Sequence, residues 1–185
     1  IGTNAGGTTQ GRNSVAIGST AGQYYQALGA SDTQGSVAIG LGSGRTNQGI
    51  DSVAIGTNAG SGTQGLNSVA IGLNSGKIIQ AQNSVAIGTQ AGNSTQGPLA
   101  IAMGFSAGYN NQLGEAIAIG TNAGRDTQGT AAIAIGSQAA LENQRNTAIA
   151  IGYKAGRNTQ GQNSVAIGKT AGELNQAYGA NGLQG

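Results

Sequence analysis

Small and large apolar residues alternate in short bursts along this chain, and the bursts recur at a fixed interval. Asn83-Ser84-Val85-Ala86-Ile87-Gly88 is typical. A period of two over five residues predicts a β-strand, with Val and Ile on one face and Ser, Ala and Gly on the other. Val and Ile are β-branched and favour strands. The glycine that closes each burst falls at 2, 18, 40, 56, 72, 88, 104, 120, 136, 152 and 168, a spacing of 16 residues throughout except for 22 between Gly18 and Gly40.

Other positions keep the same beat. Eight residues after each of these glycines stands a glutamine: Gln10, Gln26, Gln48, Gln64, Gln80, Gln96, Gln112, Gln128, Gln144, Gln160 and Gln176. One strand per unit cannot bury an apolar face alone, whereas stacked units can, each about 4.8 Å above the last. The expected fold is therefore all-β, a parallel β-solenoid of 16-residue coils with one 22-residue coil. Each coil has room for two short strands and two turns, the second strand covering the Ala-Gly-x-x-x-Gln stretch. Gly60, Gly92, Gly124 and Gly156 suit a sharp turn with positive φ. A helical repeat is disfavoured because each glycine costs a helix about 1 kcal/mol. Residues 1–35 and 151–185 agree at 22 of 35 positions. The chain thus reads as a single solenoid array over 1–185, a segment of a longer chain with a 150-residue superperiod.

The alternation assigns roles to faces. Val85, Ile87 and their equivalents are expected to fill the interior. Ala38, Ala54, Ala70, Ala86, Ala102, Ala118, Ala134, Ala150 and Ala166 then lie on the opposite face, which never exceeds Ala. That face is expected to pack against other chains; the alternative is a small face facing water. The column Gln48, Gln64, Gln80, Gln96, Gln112, Gln128, Gln144 and Gln160 is expected to form an amide ladder, with a ligand-binding row as the alternative. Asn13, Asn67, Asn83 and Asn163 fall where a turn is needed. Charges concentrate five and six residues after the closing glycine, as at Arg45, Lys77, Arg125-Asp126, Glu142, Arg157 and Glu173, which marks an exposed rim. Tyr24 and Tyr25 on that rim, with Asp32 in the long coil, are the candidate surface feature.

Composition narrows the function. There is no Cys and no His, so Ser-His and Cys-His nucleophiles are excluded and no soft metal site is available. The six acidic residues, Asp32, Asp51, Glu115, Asp126, Glu142 and Glu173, form no catalytic pair in sequence. No enzyme activity and no cofactor or metal is expected. Eight Lys and Arg against six Asp and Glu, scattered, give a net charge of +2 and no nucleic-acid patch. No apolar run approaches membrane-spanning length. Asn93-Ser94-Thr95 is a glycosylation sequon on the expected rim, more simply a chance occurrence in an Asn- and Ser-rich chain.

The repeated Asn-Ser-Val-Ala-Ile-Gly unit, quoted above at 83–88, resembles the YadA-like head repeat of trimeric autotransporter adhesins. The resemblance runs the length of the chain, although the glutamine at fixed register is not part of the head pattern. Similar arrays resemble fibre proteins of viruses and environmental microbes. The resemblance implies a left-handed β-roll, side-by-side association of three rolls and a non-enzymatic, adhesive role at a cell or virion surface. The expected function is an extracellular structural and adhesive fibre that self-associates as a homotrimer or filament. The alternative is an adhesin head that binds a surface receptor or glycan. An ice-binding array is disfavoured, because Tyr25 and Ile79 interrupt the best threonine column.

Overall fold

The computed structural model describes residues 1–29 and 34–175, and the protein is a stack of parallel strands with no helix among them. The Val-Ala-Ile bursts form one ten-stranded parallel sheet: Val15–Ile17, Val37–Ile39, Val53–Ile55, Val69–Ile71, Val85–Ile87, Ile101–Met103, Ile117–Ile119, Ile133–Ile135, Ile149–Ile151 and Val165–Ile167. Facing it is a six-stranded parallel sheet of Thr8–Gln10, Tyr24–Gln26, Thr46–Gln48, Thr63–Gln64, Ile79–Gln80 and Thr95–Gln96. Isolated parallel bridges carry that line on through Gln112, Gln128, Gln144 and Gln160.

Register is strict. Val85, Ala86 and Ile87 pair with Val69, Ala70 and Ile71, one coil of 16 residues away. In the long coil the shift becomes 22, so Val15 pairs with Val37 and Tyr24 with Thr46. Backbone bonds join successive coils; Val85 N–H donates to Ala100 O at 2.9 Å and Gly88 N–H to Ile71 O at 2.8 Å.

The closing glycines are held by stacking as well as by dihedral angle. Gly88 has φ of 124°, and a Cβ there would stand 2.7 Å from the carbonyl oxygen of Gly104 in the next coil. Asn13, Asn67, Asn83 and Asn163 adopt left-handed φ between 53° and 59°, a conformation Asn tolerates better than most residues. The turn expected at Gly60, Gly92, Gly124 and Gly156 is present, with φ of 52° to 53°.

The two faces of the motif strand are the reverse of the hydrophobic expectation. Ala86 is completely buried inside its own roll, as are Ala38, Ala54, Ala70, Ala102, Ala118, Ala134 and Ala150. Val85 and Ile87 face outward and are only partly covered. The reason is space. A Cβ on Gly92 would sit 2.9 Å from Gln96 Oε1 and 3.3 Å from Ala86 Cβ. Across so thin an interior no side chain larger than Ala fits opposite the glutamine. A second small column, including Ala59, Ala91, Ala107 and Ala123, and a third of Ser52, Ser68 and Ser84 complete the lining. The glutamines, nine of them from Gln26 to Gln160, are the largest fully buried side chains.

Candidate interaction surface

The interior is a hydrogen-bonded one. Gln96 Nε2 reaches across the roll and donates to Val85 O at 2.8 Å, tying the second sheet to the motif strand of the same coil. The same link recurs from Gln48 to Val37 O, from Gln64 to Val53 O and from Gln112 to Ile101 O, at 2.7 to 2.8 Å. Amide-to-amide bonds join Gln96 to Gln112, Gln112 to Gln128 and Gln144 to Gln160, at 3.0 to 3.2 Å. These rungs fall in three of the four coils that carry Ala where others carry serine, those of Ala100, Ala116 and Ala148; the coil of Ala132 donates none. In serine coils the hydroxyl caps the turn instead, as Ser84 Oγ donates to Ala81 O at 2.6 Å. Each glutamine thus acts first as a cross-roll strut and only in part as a rung. With all its neighbours on its own chain, the column offers no open row to a ligand.

The alanine column cannot meet another chain, because Ala38, Ala54, Ala70, Ala86, Ala102, Ala118, Ala134, Ala150 and Ala166 are enclosed by their own roll. The surface left for a neighbour is the outward Val and Ile face. Two apolar columns run up it, Val15 to Val165 and Ile17 to Ile167, interrupted in type only by Met103. Ten strands at about 4.8 Å spacing make a strip about 43 Å long and about 7 Å wide, roughly 300 Å². Exposed Leu41, Leu73, Phe105 and Tyr153 stand one residue beyond the closing glycines, at the turn edge and outside the two strand columns. A monomer's largest apolar patch is typically about 300–600 Å², and such patches often mark contact surfaces.

Tyr24 and Tyr25 are both exposed, on the Tyr24–Gln26 strand of the long coil. Asp32 lies outside the described residues with the rest of 30–33, as do residues 176–185. The rim is solvated at Arg45 and Glu142, but Leu141 turns inward and is buried. The sequon side chain is also buried: Asn93 Nδ2 donates to Asn74 O at 2.9 Å and is not presented for modification. Among the described residues there is no group of three or more metal-ligating side chains, and no helix long and apolar enough to cross a membrane.

Residues 48–75 match the YadA head domain repeat, in two copies. This stretch runs from Gln48 through two Ser-Val-Ala-Ile-Gly strands to Ser75, so it carries the same strut, strand and turn set that the rest of the roll repeats. No curated protein and no solved structure matches the chain.

Proposed function

We propose that this chain is part of a non-enzymatic, extracellular fibre, in which copies of the roll associate as a trimer through their Val and Ile faces and form a stiff, adhesive rod on a cell or virion surface. The observation that carries the reading is the two-column apolar face, continuous over ten strands and only partly covered on a single chain. Covering about 300 Å² at about 25 cal/mol per Å² contributes about 7 kcal/mol per copy before the cost of association. The match to a head repeat of surface adhesins supports the same reading. Light scattering on the eluting protein tests it. The expected mass is three times the 17.9 kDa of one chain, falling to a single chain when Ile87 and Ile119 are both replaced by Lys. A wild-type protein that stays monomeric at high concentration overturns the proposal.

A second reading, a head that grips a surface receptor, is favoured by one feature, the exposed Tyr24-Tyr25 pair in the long coil. The equivalent residues one coil on are Thr46 and Asn47. Replacing Tyr24 by Thr and Tyr25 by Asn should therefore preserve the roll while abolishing attachment to a matrix-coated surface. Unchanged attachment would count against it.

A further inference from the structure

Outside the long coil, the repeat carries an unusual side chain where the turn edges of two adjacent coils meet. Phe105, the sole phenylalanine of the chain, is 52% exposed there. It lines a shallow groove with Tyr109, Asn110, Asn122, Arg125 and Asp126. Adjacent coils are locked across the groove floor: Asn122 N–H donates to Phe105 O and Asn110 N–H to Arg125 O, each at 2.8 Å.

The polar groups in the groove are preset. Arg125 Nη2 donates to Asp126 Oδ2 at 2.9 Å, with Nε near Oδ1 at 3.4 Å, so the guanidinium and carboxylate face each other as a fork. Asn110 Nδ2 donates to the same Oδ1 at 3.2 Å. This pair is shorter than Arg157–Glu173, at 3.5 Å, two and three coils further on. Three contacts leave Asp126 with acceptor capacity and Arg125 with free N–H donors, because a carboxylate offers about four lone-pair positions and a guanidinium five N–H groups. The hydrogen bond to Asp126 raises the Arg125 pKa further, so the guanidinium stays charged.

We infer that this groove is a saccharide-binding subsite. A pyranose presents a flat C–H face and a rim of hydroxyls, each both donor and acceptor. Phe105 and Tyr109 supply an apolar aromatic wall for the first. The fixed carboxylate, guanidinium and amides supply planar donors and acceptors for the second. The ion pair sums to no net charge, which disfavours a phosphate or sulfate. Phe105 and Asp126 are unique in their columns, where other coils carry Thr57, Thr89 and Thr121, and Gly62 and Ser94, whereas Arg125 and Asn122 recur as Arg45 and Asn58.

Those departures also provide variants that the fold already accommodates. Saturation-transfer NMR on the 185-residue chain, with methyl glycosides of glucose, galactose, mannose and N-acetylglucosamine as probes, should transfer magnetisation to the ring C–H protons of at least one of them. Phe105→Thr and Asp126→Ser should each weaken that transfer at least tenfold. Leu73→Thr, in the same column but two coils away, should leave it unchanged. No transfer to any glycoside, or transfer that survives both groove substitutions, overturns the site. Light scattering on Phe105→Thr separates this from fibre assembly: an unchanged assembly mass is expected, and a loss of mass would assign the groove to chain-to-chain contact and likewise overturn the subsite.

Discussion

Replacing Gln96 by Glu swaps one amide nitrogen for an oxygen and should convert a strut into a pH-dependent weak point. Gln96 is completely buried. Its Nε2 faces three carbonyl oxygens, Val85 O at 2.8 Å, Ala100 O at 3.3 Å and Gln112 Oε1 at 3.2 Å. A protonated Glu could still donate one hydrogen bond to Val85 O and would lose little, about 1 kcal/mol for the weaker bonds forgone. An ionised Glu would place negative charge against three acceptors with no donor in reach. Desolvation and those dipoles both favour the neutral acid, so the folded pKa is raised above the unfolded value of about 4.3. A rise of about 3 units corresponds to about 4 kcal/mol at neutral pH. The sign follows: the added destabilisation is absent below about pH 4.3, grows as pH rises from there, and is complete once pH exceeds the folded pKa. Urea midpoints of Gln96→Glu and wild type, compared at pH 4 and pH 8, measure it. The gap should be small at pH 4 and several-fold larger at pH 8. Equal gaps at the two pH values would refute the placement of this side chain among carbonyls.

Other substitutions separate stacking from turn geometry. Gly88→Ala should abolish folding of its coil, because the new methyl would lie 2.7 Å from Gly104 O, whereas Gly92→Ala should cost only about 1–2 kcal/mol, since Ala140 already occupies the equivalent turn; thermal melts followed by circular dichroism distinguish them. Ala86→Leu should destabilise by at least about 3 kcal/mol, as the interior has no volume to yield, with protease resistance as the readout. Leu99 holds a left-handed φ of 61° while 56% exposed, so Leu99→Asn should raise the melting temperature by a few degrees, equivalent to about 1 kcal/mol.

The stack itself was legible from spacing alone: a glycine every 16 residues and a glutamine always eight after it report one geometry repeated in every coil. The turn at Gly92 could be read the same way. The faces could not be read from hydrophobicity. Val85 and Ile87 look like core residues, yet burial of apolar groups is a one-way rule, and an exposed Val is no anomaly. The better guide was constancy of size. Ala86 never grows because its space is fixed, while the outward column drifts from Val85 to Ile101 and from Ile87 to Met103 without consequence for the roll. Gln96 follows the same logic, since one length spans the interior. Its orientation, toward the Val85 carbonyl rather than only along the stack, depends on the separation of the two sheets, which no local pattern encodes. The Phe105 groove needed coordinates as well, because it joins residues about 20 positions apart that meet only when coils stack.

The glutamine interior has a thermal consequence. The heat capacity change of unfolding rises with exposed apolar surface and falls with exposed polar surface, at about +0.45 and −0.26 cal/K/mol per Å². Unfolding a single roll releases methyls and amides instead of large aliphatic groups, because its outward Val and Ile are already partly wet. The change per residue should therefore fall below the usual 12–15 cal/mol/K or so. A small value flattens the curve of stability against temperature, so the isolated roll should lose little stability on cooling, and in the proposed trimer cold would loosen the contacts between rolls before the coils themselves.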